Sequence, residues 1–159
     1  MLEIIQSILE DQSITFEYEE SSSDNPHAFY FDEKFEHGFM RGVIGVHYQE
    51  KMVHIYRMFP TSLPGGRVKE LSEYITRINS DKKLGTFELD FEDMHFGISA
   101  TFPLSKDENE QKETLHTYFN ALTYGLNKYF EGALKIGFGE HEPATVLNQL
   151  DFNVDPRLN

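Results

Sequence analysis

The stretch LGTFELDFEDMHFGISATFPL, residues 84–104, carries the pattern on which the fold turns. Phe87, Leu89 and Phe91 fall on one face of its first half, and Phe96, Ile98, Ala100 and Phe102 on one face of its second. Successive side chains of a strand point to opposite faces, so this period of two predicts a hairpin with one buried face, turning at Glu92 and Asp93. Thr86, Glu88 and Asp90 occupy the other face. A single layer of helices is enough to cover such a hairpin.

The flanking segments supply those helices. Before the hairpin, Val68, Leu71, Ile75 and Ile78 recur at helical spacing and predict a helix over residues 67–79. After it, beyond the charged loop KDENEQ, a long helix carries Leu115, Tyr118, Phe119, Leu122, Leu126, Tyr129, Phe130 and Leu134 on one apolar stripe. Gly125 interrupts that stripe at a propensity cost of ~1 kcal/mol relative to Ala. Further upstream, GFMRGVIGVHYQEKMVHIYRMF, residues 38–59, reads as two β-rich runs around Gln49, Glu50 and Lys51, a second hairpin, which TSLPGG ends. At the N-terminus Leu2, Ile5, Ile8 and Leu9 predict a helix closing near Asp11 to Ser13, and Ile14, Phe16 and Tyr18 a short strand with one buried face. ESSSDNP, residues 20–26, is a polar loop. Phe29 and Phe31 suggest a brief strand, while the charges from Asp32 to Glu36 make residues 29–35 an edge or a bent loop.

The order is helix, strands, helix, hairpin, helix, with a short final helix. That is α+β, an antiparallel sheet with helices packed on one face, in one domain over residues 1–159. Strands in adjacent runs joined by short turns argue against a doubly wound parallel sheet.

Charge narrows the partners. With 27 acidic against 14 basic side chains the formal charge is −13, so the chain repels phosphate, and it carries no basic stripe. Nucleic acid and anionic membrane surfaces are therefore not expected partners. MLEIIQSILEDQ lacks the cationic start of a secretory signal, and no apolar run approaches the ~18 residues of a transmembrane helix. The absence of cysteine excludes disulfides, thiolate catalysis and Cys-ligated zinc, and suits a reducing cytoplasm, the expected location.

Motifs that could carry chemistry resolve into structure. GFGEHEP, residues 137–143, gathers His141 with Glu140 and Glu142, but adjacent side chains on a helix point about 100° apart and no HExxH accompanies them. A joint explains each residue: Gly137 or Gly139 ends one helix in a left-handed conformation, and Pro143 begins the next. His27, His37, His95 and His116 are scattered, and His47 and His54, which approach across the first hairpin, lack a third ligand. Leu63-Pro64-Gly65-Gly66-Arg67 is a turn and cap rather than a P-loop; Gly38, Gly42 and Gly45 do not form GxGxxG; no GxSxG occurs. No catalytic residue, metal ligand or cofactor is assigned.

The first hairpin differs from the second in having two apolar faces. Along its second strand Val53, Ile55 and Phe59 oppose Met52, Tyr56 and Met58; along its first, Phe39 and Val43 oppose Met40, Ile44, Val46 and Tyr48. Three main helices cover one such face, and the other awaits a second subunit or a client segment unless the first helix or residues 29–35 fold over it. Met52, Tyr56, Met58, Met40, Ile44 and Tyr48 are the candidates for dimer or client contact, Met and Tyr being adaptable or amphipathic. A homodimer is expected.

Two stretches, YITRINSDKKLGTFELDFEDMHFGISATFPL and NKYFEGALKIGFGEHEPATVL, resemble the YbjN-type family of bacterial proteins, labelled sensory transduction regulators. The resemblance rests on Ile78, Asn79, Gly85, Phe87, Glu88, Leu89, Phe96, Pro103 and Leu104, then on Tyr129, Phe130, Leu134, Gly137, Gly139 and Pro143. It covers roughly the C-terminal half. It implies a fold similar to the type III secretion chaperones, small α+β dimers that hold another polypeptide, and it brings no catalytic residue. The function expected is a non-enzymatic, homodimeric protein-binding module, chaperone-like or regulatory. The alternative is a small-molecule binder or carboxylate enzyme, which needs a concave pocket with converging polar groups where a binding module needs an exposed apolar surface.

Overall fold

The structure, a computed structural model, describes residues 1–22, 26–35, 38–81, 84–139 and 141–152. Its elements run α1 (Leu2–Asp11), β1 (Phe16–Glu19), β2 (His27–Phe35), β3 (Gly38–His47), β4 (Met52–Ser62), a 3-10 turn (Gly65–Arg67), α2 (Val68–Asp81), β5 (Thr86–Leu89), β6 (His95–Pro103), α3 (Glu108–Gly137) and α4 (Pro143–Phe152). The strands form one antiparallel sheet in the order β1-β2-β3-β4-β6-β5. The expected α+β class is thus observed, with the helices on one face.

The core lies between that face and α3. Ile44 pairs with Ile55 and Val46 with Val53 across β3 and β4, while Ile55 pairs with Ala100 and Val53 with Phe102 across β4 and β6. All these side chains are buried, as are Leu115, Phe119, Leu122, Leu126 and Phe130 of α3. Phe59 stacks on Phe130 with ring centroids 3.7 Å apart, which fastens the end of β4 to the helix. Ile5, Ile8 and Leu9 bring α1 into the same core, where it meets α3.

Several expectations need correction. Residues 29–35 belong to a nine-residue strand inside the sheet, because Phe29 and Phe31 turn into the core while Asp32 meets Arg41 on the other side. Phe91 lies in the turn after β5 and is 67% exposed, so the inward row of that strand is the buried Phe87 and the half-buried Leu89. Tyr18 sits on the terminal strand, past the reach of the helices, and is exposed. Leu134 is half-buried rather than buried. The long helix begins inside KDENEQ, since the Asp107 carboxylate accepts hydrogen bonds from the backbone N–H groups of Asn109 and Glu110 at 2.9 and 3.0 Å. That is an N-cap, with Glu108 and Glu110 favourably placed at the positive end of the helix.

The residues behind the family resemblance have structural work. The Asn79 side chain donates to the Phe87 carbonyl at 3.0 Å and accepts from the Phe87 N–H at 2.8 Å, tying α2 to the outer edge of β5. Gly85 adopts φ +74°, and a Cβ there would come within 3.2 Å of the Ser99 carbonyl, so both backbone and space demand glycine. Gly139, at φ +81°, closes α3, and Pro143 opens α4.

Candidate functional site

Because the period of β4 is strict, what it does not bury in the core it must show on the far side. Met52, His54, Tyr56 and Met58 stand there, flanked on β3 by His47, Gly45, Val43 and Arg41 and on β6 by Pro103, Thr101, Ser99 and Gly97. Tyr30 pairs with Val43 from β2 and extends the row. No described helix covers this face: α1 packs against α3, and residues 29–35 are part of the sheet itself. Val43, His47, Met52, His54, Tyr56 and Met58 shield one another to intermediate exposure, while Arg41, Thr101 and Pro103 are exposed and Phe39 at 60% and Tyr30 at 46% are open to solvent.

The patch is poor in charge. Along its central strands β3, β4 and β6 it holds one permanently charged side chain, Arg41, whose Nε lies 3.1 Å from Asp32; the other charges of this face, Glu17, Glu19, Asp32, Lys34 and Glu88, stand at its margins on β1, β2 and β5. On a chain of charge −13 that composition is distinctive, since depletion of charge with enrichment of aromatics and Met marks the centre of protein interfaces.

One side of the patch is polar and ordered. A Cβ on Gly97 would fall 2.5 Å from the Tyr56 hydroxyl, so the absence of a side chain lets the Tyr56 ring lie across β6 toward Glu88. Ser99 donates to the Glu88 carboxylate, and His54 Nδ1 sits 2.9 Å from the Thr101 hydroxyl. Burial, reinforced by the negative charges of Glu88 and Asp90, pushes the Tyr56 phenol up to about 12. Burial also lowers the His54 pKa below its ordinary value, against the pull of Glu88. The arrangement holds a neutral tyrosine and a neutral imidazole at neutral pH.

The candidates chosen from sequence are divided by the structure. Met52, Tyr56 and Met58 share the bare face, whereas Met40 and Ile44 are 0% exposed on the opposite one, packed beneath the helices. Sequence alone does not separate them, because the phase between two strands depends on which residues pair, and Ile44 faces Ile55, not Tyr56. Tyr48 belongs to neither face; it lies in the turn after β3, 49% exposed.

A residue that pattern reading passed over is Arg57. Its place in the alternation puts it on the core face, where it is fully buried, paired with the Glu33 carboxylate and bonded to the Thr123 hydroxyl. Its guanidinium lies 4.5 Å from the Phe119 ring centroid and 5.3 Å from that of Phe31. Burial lowers its pKa and Glu33 opposes the shift, so the group stays cationic. Gly42 makes the room, since a Cβ there would fall 2.3 Å from the Phe31 ring. The position of an arginine in the phase of Val53, Ile55 and Phe59 was the available signal.

GFGEHEP behaves as a joint among its described residues. Arg67 bonds Glu142 at 3.0 Å across it, and Glu140 lies outside the described residues, as do His37 and residues 23–25 of the polar loop. No group of three or more His, Asp or Glu able to hold a metal occurs among the described residues, and no described helix is long and apolar enough to cross a membrane. A recess of about 550 Å³ opens beside β1 and β2, where Asp32 and Arg41 satisfy each other, and one of about 310 Å³ lies among Thr86, Ser99, Thr101 and Tyr118.

No protein-family model and no curated relative matches the chain. Among solved structures it is similar to the crystal structure of YbjN from E. coli, described there as a candidate transcription regulator. The two share 10% sequence identity with a TM-score of 0.54, over 83% of this chain and 92% of that one. The chain has the fold of YbjN.

Proposed function

We propose that the chain is a non-enzymatic polypeptide-binding module, chaperone-like or regulatory, that acts as a homodimer through the bare face of its sheet. The observation that carries this reading is the charge-poor row of Tyr30, Val43, Tyr56, Met52 and Met58 on a face that no described helix covers. An apolar sheet surface of this kind is a contact surface. Self-association is favoured at this patch over others because two copies, each at −13, repel wherever carboxylates face each other. The description of YbjN as a regulator supports a regulatory role, and the acid excess favours regulation through proteins rather than DNA.

Light scattering at tens of micromolar tests it. The expected mass is twice the 18.5 kDa of one chain, with Tyr56→Glu and Met58→Asp giving folded monomers by circular dichroism. A wild-type monomer, or variants that remain dimeric, would rule out this face.

A further inference from the structure

The two edges of the sheet are finished differently. At the β5 edge Asn79 occupies both the N–H and the carbonyl of Phe87, and α2 packs alongside. At the other edge β1 is the terminal strand, and no described element pairs with its outer side. An open edge presents unpaired backbone groups to any extended chain, and natural edges are commonly blunted by Lys, Pro or a bulge. The sequence of β1, FEYE, has neither residue, and its register with β2 runs without a bulge from Phe16 opposite Phe31 to Glu19 opposite Ala28; its protection is its length of four residues and the exposed Glu17 and Glu19, like charges that repel a second copy of the same edge but not a cationic strand.

The chemistry of that edge is one-sided. Glu17 and Glu19 are exposed on the face shared with the bare patch, and neither forms an ion pair among the described residues. On the helix side Tyr18, 45% exposed, contacts the rings of Phe29 and His27 at centroid distances of 5.0 and 6.0 Å, and His27 meets Tyr48 at 5.4 Å. Carboxylates on one side and accessible ring faces on the other both attract cations. Beyond Phe16 the longer β2 continues, and at this step lies the recess of about 550 Å³ bordered by Thr15, Glu17, Tyr30 and Asp32.

We infer that the outer edge of β1, with which no described element pairs, is a docking strand for an extended, cationic segment of a partner polypeptide, which joins the sheet as a further strand. Its Lys or Arg side chains meet Glu17 and Glu19 on one face and Tyr18 on the other, while backbone hydrogen bonds supply sequence-independent affinity. An acidic segment is repelled by the same carboxylates, on a chain whose charge of −13 already disfavours it. This rests on the reading of the chain as a polypeptide-binding module and names the chemistry of the polypeptide.

Fluorescence anisotropy with the full chain and three short synthetic peptides tests it: one alternating Lys and Val, one with Glu in place of Lys, and one of the Lys–Val sequence N-methylated throughout. The first is expected to bind, with the other two weaker by at least ~10-fold. Glu17→Gln with Glu19→Gln should weaken the first peptide to a similar extent, and Tyr56→Glu should leave it unchanged. Equal binding of the N-methylated peptide would mean charge adhesion without strand addition and would overturn the inference, as would an unaffected double variant or no binding of the Lys–Val peptide. A monomer in light scattering sinks the homodimer but leaves these outcomes as they are, so the two failures are distinguishable.

Discussion

Two faces of the same strands differ in what completes them. On the helix side of β3 and β4, Met40, Ile44, Val46, Val53, Ile55 and Phe59 are at most 1% exposed. On the other side Val43, Met52, Tyr56 and Met58 are nearly as apolar, yet they reach only intermediate burial by leaning on one another. The hydrophobic effect rewards area removed from water, so the first set contributes to folding in full and the second only in part. Apolar side chains that the monomer does not finish burying leave a driving force for association. The charged groups are sorted in the opposite sense. The core face takes in a cation, Arg57, and neutralises it with Glu33, while the outer face of β4 carries none.

The largest expected effect breaks the finished face. Glu33→Ala removes the Glu33 carboxylate from the buried Arg57, and loss of one partner of a buried pair costs ~3–5 kcal/mol. Urea unfolding of the variant measures this, and a loss below ~1 kcal/mol would mean that Arg57 escapes to water. Replacing Arg57 by Met in the same variant should recover part of the loss, since an apolar side chain needs no counter-ion.

A smaller effect compares neighbours on one strand. Ile55→Ala should cost ~2–5 kcal/mol as a core truncation. Met58→Ala, on the half-buried face, should cost ~1 kcal/mol or less at high dilution and more as protein concentration rises, because subunit association adds to stability by mass action. Equal and concentration-independent costs at the two positions would erase the difference between the faces.

The smallest effect is read by pH. The folded-state pKa of Tyr56 is raised from the phenol value of 10.0 to about 12, so the unfolded chain releases its proton first. The stability contributed by the neutral ring is complete below pH 10 and is lost as pH rises through about 12. Tyr56→Phe should flatten the stability profile over that window while leaving it unchanged at neutral pH. An unaltered slope would show that the ring does not lie in the desolvated position over Gly97.

Much of this was legible in the residues themselves because the signals are local. The alternation of Met52 to Phe59, the helical stripe from Leu115 to Phe130 and the joint between Gly139 and Pro143 each depend on neighbours within a turn or two, and the structure follows them. Local pattern also placed Met52, Tyr56 and Met58 together. What it did not reach was anything that depends on which segments meet. Met40 and Ile44 went to the wrong face because a strand's phase relative to its partner is set by pairing, and one residue of register exchanges the two faces. Residues 29–35 read as an edge or a bent loop because their charges are judged alone; in the sheet Asp32 finds Arg41 and Glu33 finds Arg57, 24 positions away. The hydroxyl that accepts from the same guanidinium, Thr123, is 66 positions away. Burial of a charge is favourable only when distant partners arrive together, and that condition is set by the tertiary structure.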